Sequence, residues 1–329
     1  MTATPREAFL AALDRRPPIP GRVPHFELEV FLTMEALGRV HPLHRRFDQW
    51  DQMTERERAL HRRDVADLYV KKLRRFGLCA TIYHTPGCWT EEDIRLSVEQ
   101  VRELDGWNHA VCIHGDATWS LTDGDDMMEF SVRLMEEPEE LKEEARRKVD
   151  EALRRAERIA RWGTVDALVL CSDYCFNDNP FLPPAMFDEF VTPYLADLIA
   201  GYRALGFHTI KHTDGNIKPI LDSLVSTNPH ALHSLDPQGG VDIAEVKRRA
   251  GARVCLIGNV HCGLLQSGTE DQVRESARYA LRHGMPGGGY VFGTSNCIYT
   301  GMPLERYELM LDVWRKEGNY PLPRDHAPG

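Results

Sequence analysis

The chain has 329 residues, 42% hydrophobic and 27% charged, enough apolar material to bury a full core without disulfide or metal staples, which excludes disorder as its main state. Lysine and arginine total 40 against 50 for aspartate and glutamate, a formal charge of -10 that repels nucleic-acid backbones and anionic membranes, so neither is expected as a partner. The N-terminus lacks a basic patch followed by an apolar run, no stretch of about 18 apolar residues occurs, and the eight cysteines form no C-x-x-C pairs, so a cytoplasmic protein with reduced thiols is expected.

The first strand candidate is Val23 to Val30. A polar stretch rich in His and Arg follows from His41 to Arg75 and is expected to be helical. Next come strand candidates Cys79 to Tyr83 and Ala110 to His114. Between Pro138 and Gly163 apolar residues recur at helical spacing with opposite charges four apart, which predicts an amphipathic helix stopped by Gly163. Five further Val/Ile/Leu-rich runs succeed it: Asp166 to Ser172, Gly206 to His212, His230 to Asp236, Ala252 to Asn259 and Gly288 to Gly293. Strand-like runs roughly 20 to 40 residues apart, joined by helical segments, fit βαβ units rather than an antiparallel sandwich. Eight such strands predict a single (β/α)8 TIM barrel over residues 1–329, with an N-terminal helical elaboration within 1–78 that includes the first strand. An open doubly wound sheet is the alternative.

In a parallel barrel the loops after the strands build one shared mouth, so the residues just past each strand carry the chemistry. Those exits hold Asp173, then His212 with Asp214, then Asp236, then Asn259 with His261, then Ser295 with Cys297. On an extended chain, residues i and i+2 point to one side, so His212 and Asp214 can grip one ion, with Gly215 turning the backbone away. Asp236 precedes Pro237 and suits a helix cap or turn as well as catalysis. The glycines 288, 289 and 293 match no phosphate-loop fingerprint and instead allow close backbone approach at the rim, leaving Cys297 to point inward.

From about Phe176 to Met310 the chain resembles the uroporphyrinogen decarboxylase superfamily. The resemblance rests on ordered pieces: Phe187-Asp-Glu-Phe-Val-Thr-Pro-Tyr194, Lys211-His-Thr-Asp-Gly-Asn216, Ile257-Gly-Asn-Val260, and Gly287-Gly-Gly-Tyr-Val-Phe292 through Pro303-Leu-Glu-Arg-Tyr307. It implies a (β/α)8 barrel and two functional branches. One branch decarboxylates tetrapyrrole acetates without a cofactor and carries an Arg-Gln-Ala-Gly-Arg element after its first strand. Here Glu27 and Glu29 stand in that region, which places carboxylates against a polyanionic substrate and argues against that reaction. The other branch comprises zinc methyltransferases that exchange a methyl group with a corrinoid protein, holding zinc by a His-x-Cys pair and a later cysteine. Its counterparts here would be His212, Asp214 and Cys297 as zinc ligands, one sulfur having become oxygen.

The expectation is therefore a metal-dependent methyltransferase acting on a small substrate, with the corrinoid on a separate protein and a homodimer as the family's common state. Glu27, Glu29, Asn259 and His261 would contact substrate. The alternative is a cofactor-free decarboxylase or related lyase in which Asp173 or Asp236 handles the proton. A non-catalytic binding protein on a barrel scaffold is a third reading, disfavoured by the number of titratable groups at one rim.

Overall fold

A computed structural model describes residues 3–121 and 124–320. Seven parallel strands pair in chain order: β1 (Ala80–Ile82), β2 (Ala110–His114), β3 (Ala167–Leu170), β4 (His208–Thr213), β5 (Ala231–Ser234), β6 (Cys255–Ile257) and β7 (Tyr290–Val291). Each lies within a run expected to be a strand, except that β4 extends one residue beyond its run, to Thr213. The eighth expected strand, 23–30, is not a regular strand, yet it closes the ring. Phe26 N–H donates to the Phe292 carbonyl (2.9 Å), Phe292 N–H to that of Pro24 (2.8 Å), and on the other edge Cys79 N–H donates to that of His25 (2.7 Å). Pro24 has no N–H to give, which breaks the ladder there. Closure also depends on Gly293, where a Cβ would lie 2.0 Å from the Phe26 carbonyl oxygen. The fold is a (β/α)8 barrel.

Alternate strand residues fill the barrel interior: Ala80 and Ile82, Ala110 and Cys112, Ala167 and Val169, Ile210, Ala231, Cys255 and Ile257, and Val291 form one buried cluster with Phe26 and Leu28. The opposite parity faces the helices in a second cluster, to which Val111, Ile113, Leu168, Leu170, Leu232 and Leu256 belong. A strand buried on both faces reads as a continuous apolar run, as these do.

The helix Pro5–Leu13 opens with a Thr4/Glu7 capping box and sends Phe9 and Leu13 into the interior cluster. It is tied to the strand-entry end by Arg6–Asp166 (2.7 Å) and His208–Asp14 (2.9 Å) pairs. One end of the barrel is thereby plugged, leaving the strand exits as the open mouth. The stretch from His41 to Arg75 is only partly helical: after short turns at Pro42–His44 and Trp50–Gln52, a helix runs Glu55–Phe76, started by a Thr54/Glu57 capping box and ended at Gly77 (φ 66°). It packs on helix Glu91–Asp105 in the outer ring. The charged helix is Pro138–Ala160, with Gly163 at φ 66° just beyond. All eight cysteines are free thiols, and among the described residues no helix is long and apolar enough to cross a membrane.

Candidate functional site

The interior parity continues beyond the apolar layers into the mouth. Two residues after Ile82, Cys112 and Ile210 come His84, His114 and His212, and two after Ala231 comes His233. Cys171 follows Val169 in the same register, and Asp173 lies two residues further on.

Two of these, His212 and Asp173, converge with Asp214, which lies two residues after His212. His212 Nε2 stands 3.8 Å from Asp173 Oδ1 and 3.8 Å from Asp214 Oδ1, and the three donor atoms all lie within 4.8 Å of one another. Gly215, at φ 77°, makes the sharp turn after them, where a Cβ would meet the Phe176 and Cys175 carbonyl oxygens at 2.5 and 2.6 Å. Asp173 is fixed by the Asp214 backbone N–H donating to Oδ1 (3.0 Å). Asp214 is held by the Ser234 hydroxyl donating to Oδ1 (2.7 Å) and by Asn296 Nδ2 donating to Oδ2. Behind His212, its Nδ1 meets Nδ1 of the fully buried His233 at 2.8 Å.

These surroundings set the charges. Burial, only partly opposed by the Asp173 carboxylate, pushes His212 down to about 4. Burial and His212 hold His233 well below the ordinary histidine value, so both rings are neutral at pH 7 and one donates to the other. Burial raises Asp214 to about 7; the Ser234 hydrogen bond opposes this, and the Asp173 and Asp236 carboxylates add to it. A neutral imidazole and two carboxylates, with no free cation beside them among the described residues, are what a divalent ion needs. With metal–ligand bonds of about 2.1 Å, donors in a tetrahedral site lie about 3.4 Å apart, close to the separations found. Nε2 carries its lone pair toward the carboxylates when Nδ1–H donates to His233, the arrangement of a metal-ligating histidine with its second partner.

The third donor in this set is Asp173 rather than Cys297. The expected His212, Asp214 and Cys297 are not all within 4.8 Å of one another; Cys297 packs against the apolar interior layer. Burial, with the charge of Glu29 beside it, keeps that thiol strongly protonated.

Glu27 and Glu29 do not face substrate. Phe26 and Leu28 take the interior parity, so both carboxylates are buried in the wall. Glu27 pairs with His25 Nε2 (2.9 Å) and accepts from the Thr294 N–H (3.0 Å). Glu29 is bound by Lys72, with His84 Nδ1 at 2.5 Å and His41 Nε2 at 3.3 Å. Burial raises Glu29, but Lys72 and the two histidines outweigh it and hold the carboxyl well below its usual range.

Asp236 is a turn residue. Its oxygens accept from the backbone N–H of Gln238 (3.0 Å) and of Gly215 (3.3 Å), which braces the His212–Gly215 turn instead of presenting a free carboxylate. Asn259 Nδ2 donates to the Leu235 carbonyl (2.9 Å). With His261 it lines a cleft of about 520 Å³ against Asp242 and Tyr279, whose walls include none of Asp173, His212 and Asp214. Sequence reasoning missed His84, His114, His233, Ser234 and Asn296. The alternation Ala80-x-Ile82-x-His84 and Ala110-x-Cys112-x-His114 carried the signal for the first two.

The profile of the uroporphyrinogen decarboxylase (URO-D) family matches residues 124–317, more than half of the chain. The chain belongs to this family. A protein described as uroporphyrinogen decarboxylase, from Thioalkalivibrio sulfidiphilus, is 31% identical over 147 residues, which cover 42% of this chain and 39% of that protein, so the match spans about two fifths of the relative's length. A solved structure, a methyltransferase from Methanosarcina mazei, superposes with a TM-score of 0.71 at 17% identity, over 95% of this chain and 99% of that one. That similarity establishes the barrel fold over nearly the whole chain.

Proposed function

We propose that this family member is a divalent-metal-dependent methyltransferase that exchanges a methyl group between a small substrate and a separate corrinoid protein docking over the strand exits. The observation carrying this reading is the convergence of Asp173, His212 and Asp214 at the mouth, with His233 positioned to fix the tautomer of His212.

A divalent ion, zinc by the family resemblance, would supply Lewis acidity toward the oxygen, sulfur or nitrogen that carries or receives the methyl group. His212 Nε2, Asp173 Oδ1 and Asp214 Oδ1 would hold it. Ser234 and Asn296 orient Asp214, and the Asp214 N–H orients Asp173, so the donors are set before any ion arrives. One histidine and two carboxylates leave room for an exchangeable position, as a catalytic ion requires. The named exit positions carry histidines and carboxylates and no arginine, which suits an uncharged or cationic substrate better than an eight-carboxylate tetrapyrrole.

The test begins with elemental analysis of protein purified without chelator or after zinc is supplied. About one ion per chain is expected, retained by C297S and lost by D173N and H212A. Methyl transfer from methylcobalamin to a panel of thiols, phenols and alcohols should then depend on that ion. Absence of bound metal after zinc is supplied, or release of carbon dioxide from a porphyrinogen, would overturn the reading.

A further inference from the structure

We propose that His114, His84 and Glu29 form a proton relay that opens on Nδ1 of His114 and serves the protic group of the substrate at this mouth. The proposal rests on the methyl-transfer reading for the identity of the reaction, while its geometry stands by itself. It names the substrate class as one whose reacting heteroatom gains or loses a proton, an alcohol, phenol or thiol.

The chain of contacts is continuous. Glu29 Oε2 lies 2.5 Å from His84 Nδ1, and His84 Nε2 lies 2.7 Å from His114 Nε2. Glu29 accepts only, since Lys72, His41 and His84 outweigh its burial and keep it ionised, so His84 donates from Nδ1. In the relay as proposed His84 Nε2 is the acceptor, and His114 donates from Nε2. That leaves the lone pair on His114 Nδ1, which has no hydrogen-bond partner among the described residues and sits on an exposed residue at the rim. The hydroxyl of Tyr69 donates to the His84 carbonyl (3.0 Å) and accepts from the His84 N–H (3.1 Å), locking the middle residue. The charged or titratable groups acting on His114 are His84, Glu29, His212 and Arg155; partial desolvation of the ring and His84 lower it below the ordinary histidine value, which keeps the lone pair available at neutral pH. His114 follows Cys112 in the interior register as His212 follows Ile210, so the two stand at strand exits of the same barrel.

The step balances without a further reactant. The substrate X–H bond breaks and its proton bonds to His114 Nδ1, while the His114 Nε2–H proton passes to His84 Nε2. The products are X⁻, a neutral His114 and a His84 imidazolium held by the Glu29 carboxylate. In the opposite direction of methyl transfer, X⁻ takes the proton back. His114 is the catalytic group, and His84 and Glu29 are positioning residues.

The first test is the long-range proton–nitrogen spectrum of histidine-labelled protein, assigned with H114Q and H84Q. A proton on Nε2 of His114 and on Nδ1 of His84 at about pH 7 is expected; a proton on Nδ1 of His114, or a cationic His114, overturns the relay. With methylcobalamin and the panel substrate that wild type methylates, H114A should lose at least about 100-fold in kcat with KM and metal content little changed, and added imidazole should restore part of it. H84Q, which can still donate to Glu29 but cannot pass a proton, should slow kcat without rescue. Retention of kcat by H114A within about threefold overturns the proposal. If wild type methylates no panel member, the functional reading fails while the nitrogen spectrum still decides the relay.

Discussion

Replacing His233 by phenylalanine removes a group that touches neither substrate nor ion yet should weaken the metal centre. The side chain is 1% exposed and meets His212 Nδ1 at 2.8 Å, so the substitution leaves that nitrogen without a partner. An unsatisfied buried polar group costs about 1–3 kcal/mol. His212 can relieve this by moving its proton to Nε2, the atom that faces Asp173 and Asp214 at 3.8 Å, and an ion must then displace that proton. The cost therefore falls on metal affinity, and about 10- to 100-fold is expected, the range for loss of an outer-shell partner. The assay is competition of zinc or cobalt(II) between the protein and a chromophoric chelator, with D173N measured alongside. Aromatic packing should survive, because Phe26 already meets the His233 ring edge-on at 6.0 Å. If H233F binds metal as tightly as wild type while D173N does not, the tautomer argument is wrong.

Lys72 is 2% exposed and bound to Glu29, so K72M strands a buried carboxylate and should cost about 3 kcal/mol in urea unfolding, the low end for a broken buried pair because His84 and His41 remain; a loss below about 0.5 kcal/mol would refute the pairing. In G293A the new methyl would lie 2.0 Å from the Phe26 carbonyl oxygen, and a loss of about 4 kcal/mol or failure to accumulate as folded protein is expected, whereas wild-type stability would show that 23–30 does not close the ring. Asp116 is half-buried, which raises its carboxyl, but the Lys211 ammonium at 2.8 Å and the Thr118 hydrogen bonds outweigh this and lower it. A group depressed in the folded state contributes stability that is present above its unfolded value of about 3.9 and is lost as pH falls through the folded value. Stability measured by urea should therefore drop below about pH 4 with a shallower slope in D116N, and an unchanged slope would contradict the assignment.

Most of the barrel is legible because its strands are buried on both faces, so each reads as a short apolar run whatever its neighbours do. The first strand is the exception that explains itself. Within Val23 to Val30, the part from Phe26 to Val30 alternates apolar and acidic residues, which resembles a half-buried strand with carboxylates facing open space. The structure buries those carboxylates instead, because His25, Thr294, Lys72, His41 and His84 supply partners from elsewhere in the chain. No local pattern contains that information. The charge-reversal argument against a polyanionic substrate, which relied on Glu27 and Glu29, accordingly transfers to the exit residues Asp173 and Asp214.

Within the site, legibility follows the same division between period and partner. His212 and Asp214 share a face because they are two apart on one strand, and that rule finds them from sequence alone. It extends to His84 and His114, each two residues past an interior Ile82 or Cys112. What periodicity cannot supply is height along the barrel axis, since adjacent strands are staggered and donors from separate exits meet only at equal height. Cys297 follows the glycine-rich rim and packs into the apolar layer, whereas Asp173 comes level with His212 through its hydrogen bond to the Asp214 N–H. Replacing the expected sulfur by a second carboxylate alters the chemistry available, because a thiolate donates charge to zinc more strongly than oxygen does. An ion held by His212, Asp173 and Asp214 would be the stronger Lewis acid, suited to drawing electron density from a bound oxygen. That preference leaves the oxygen's proton to be handled by a separate base, the part proposed for His114.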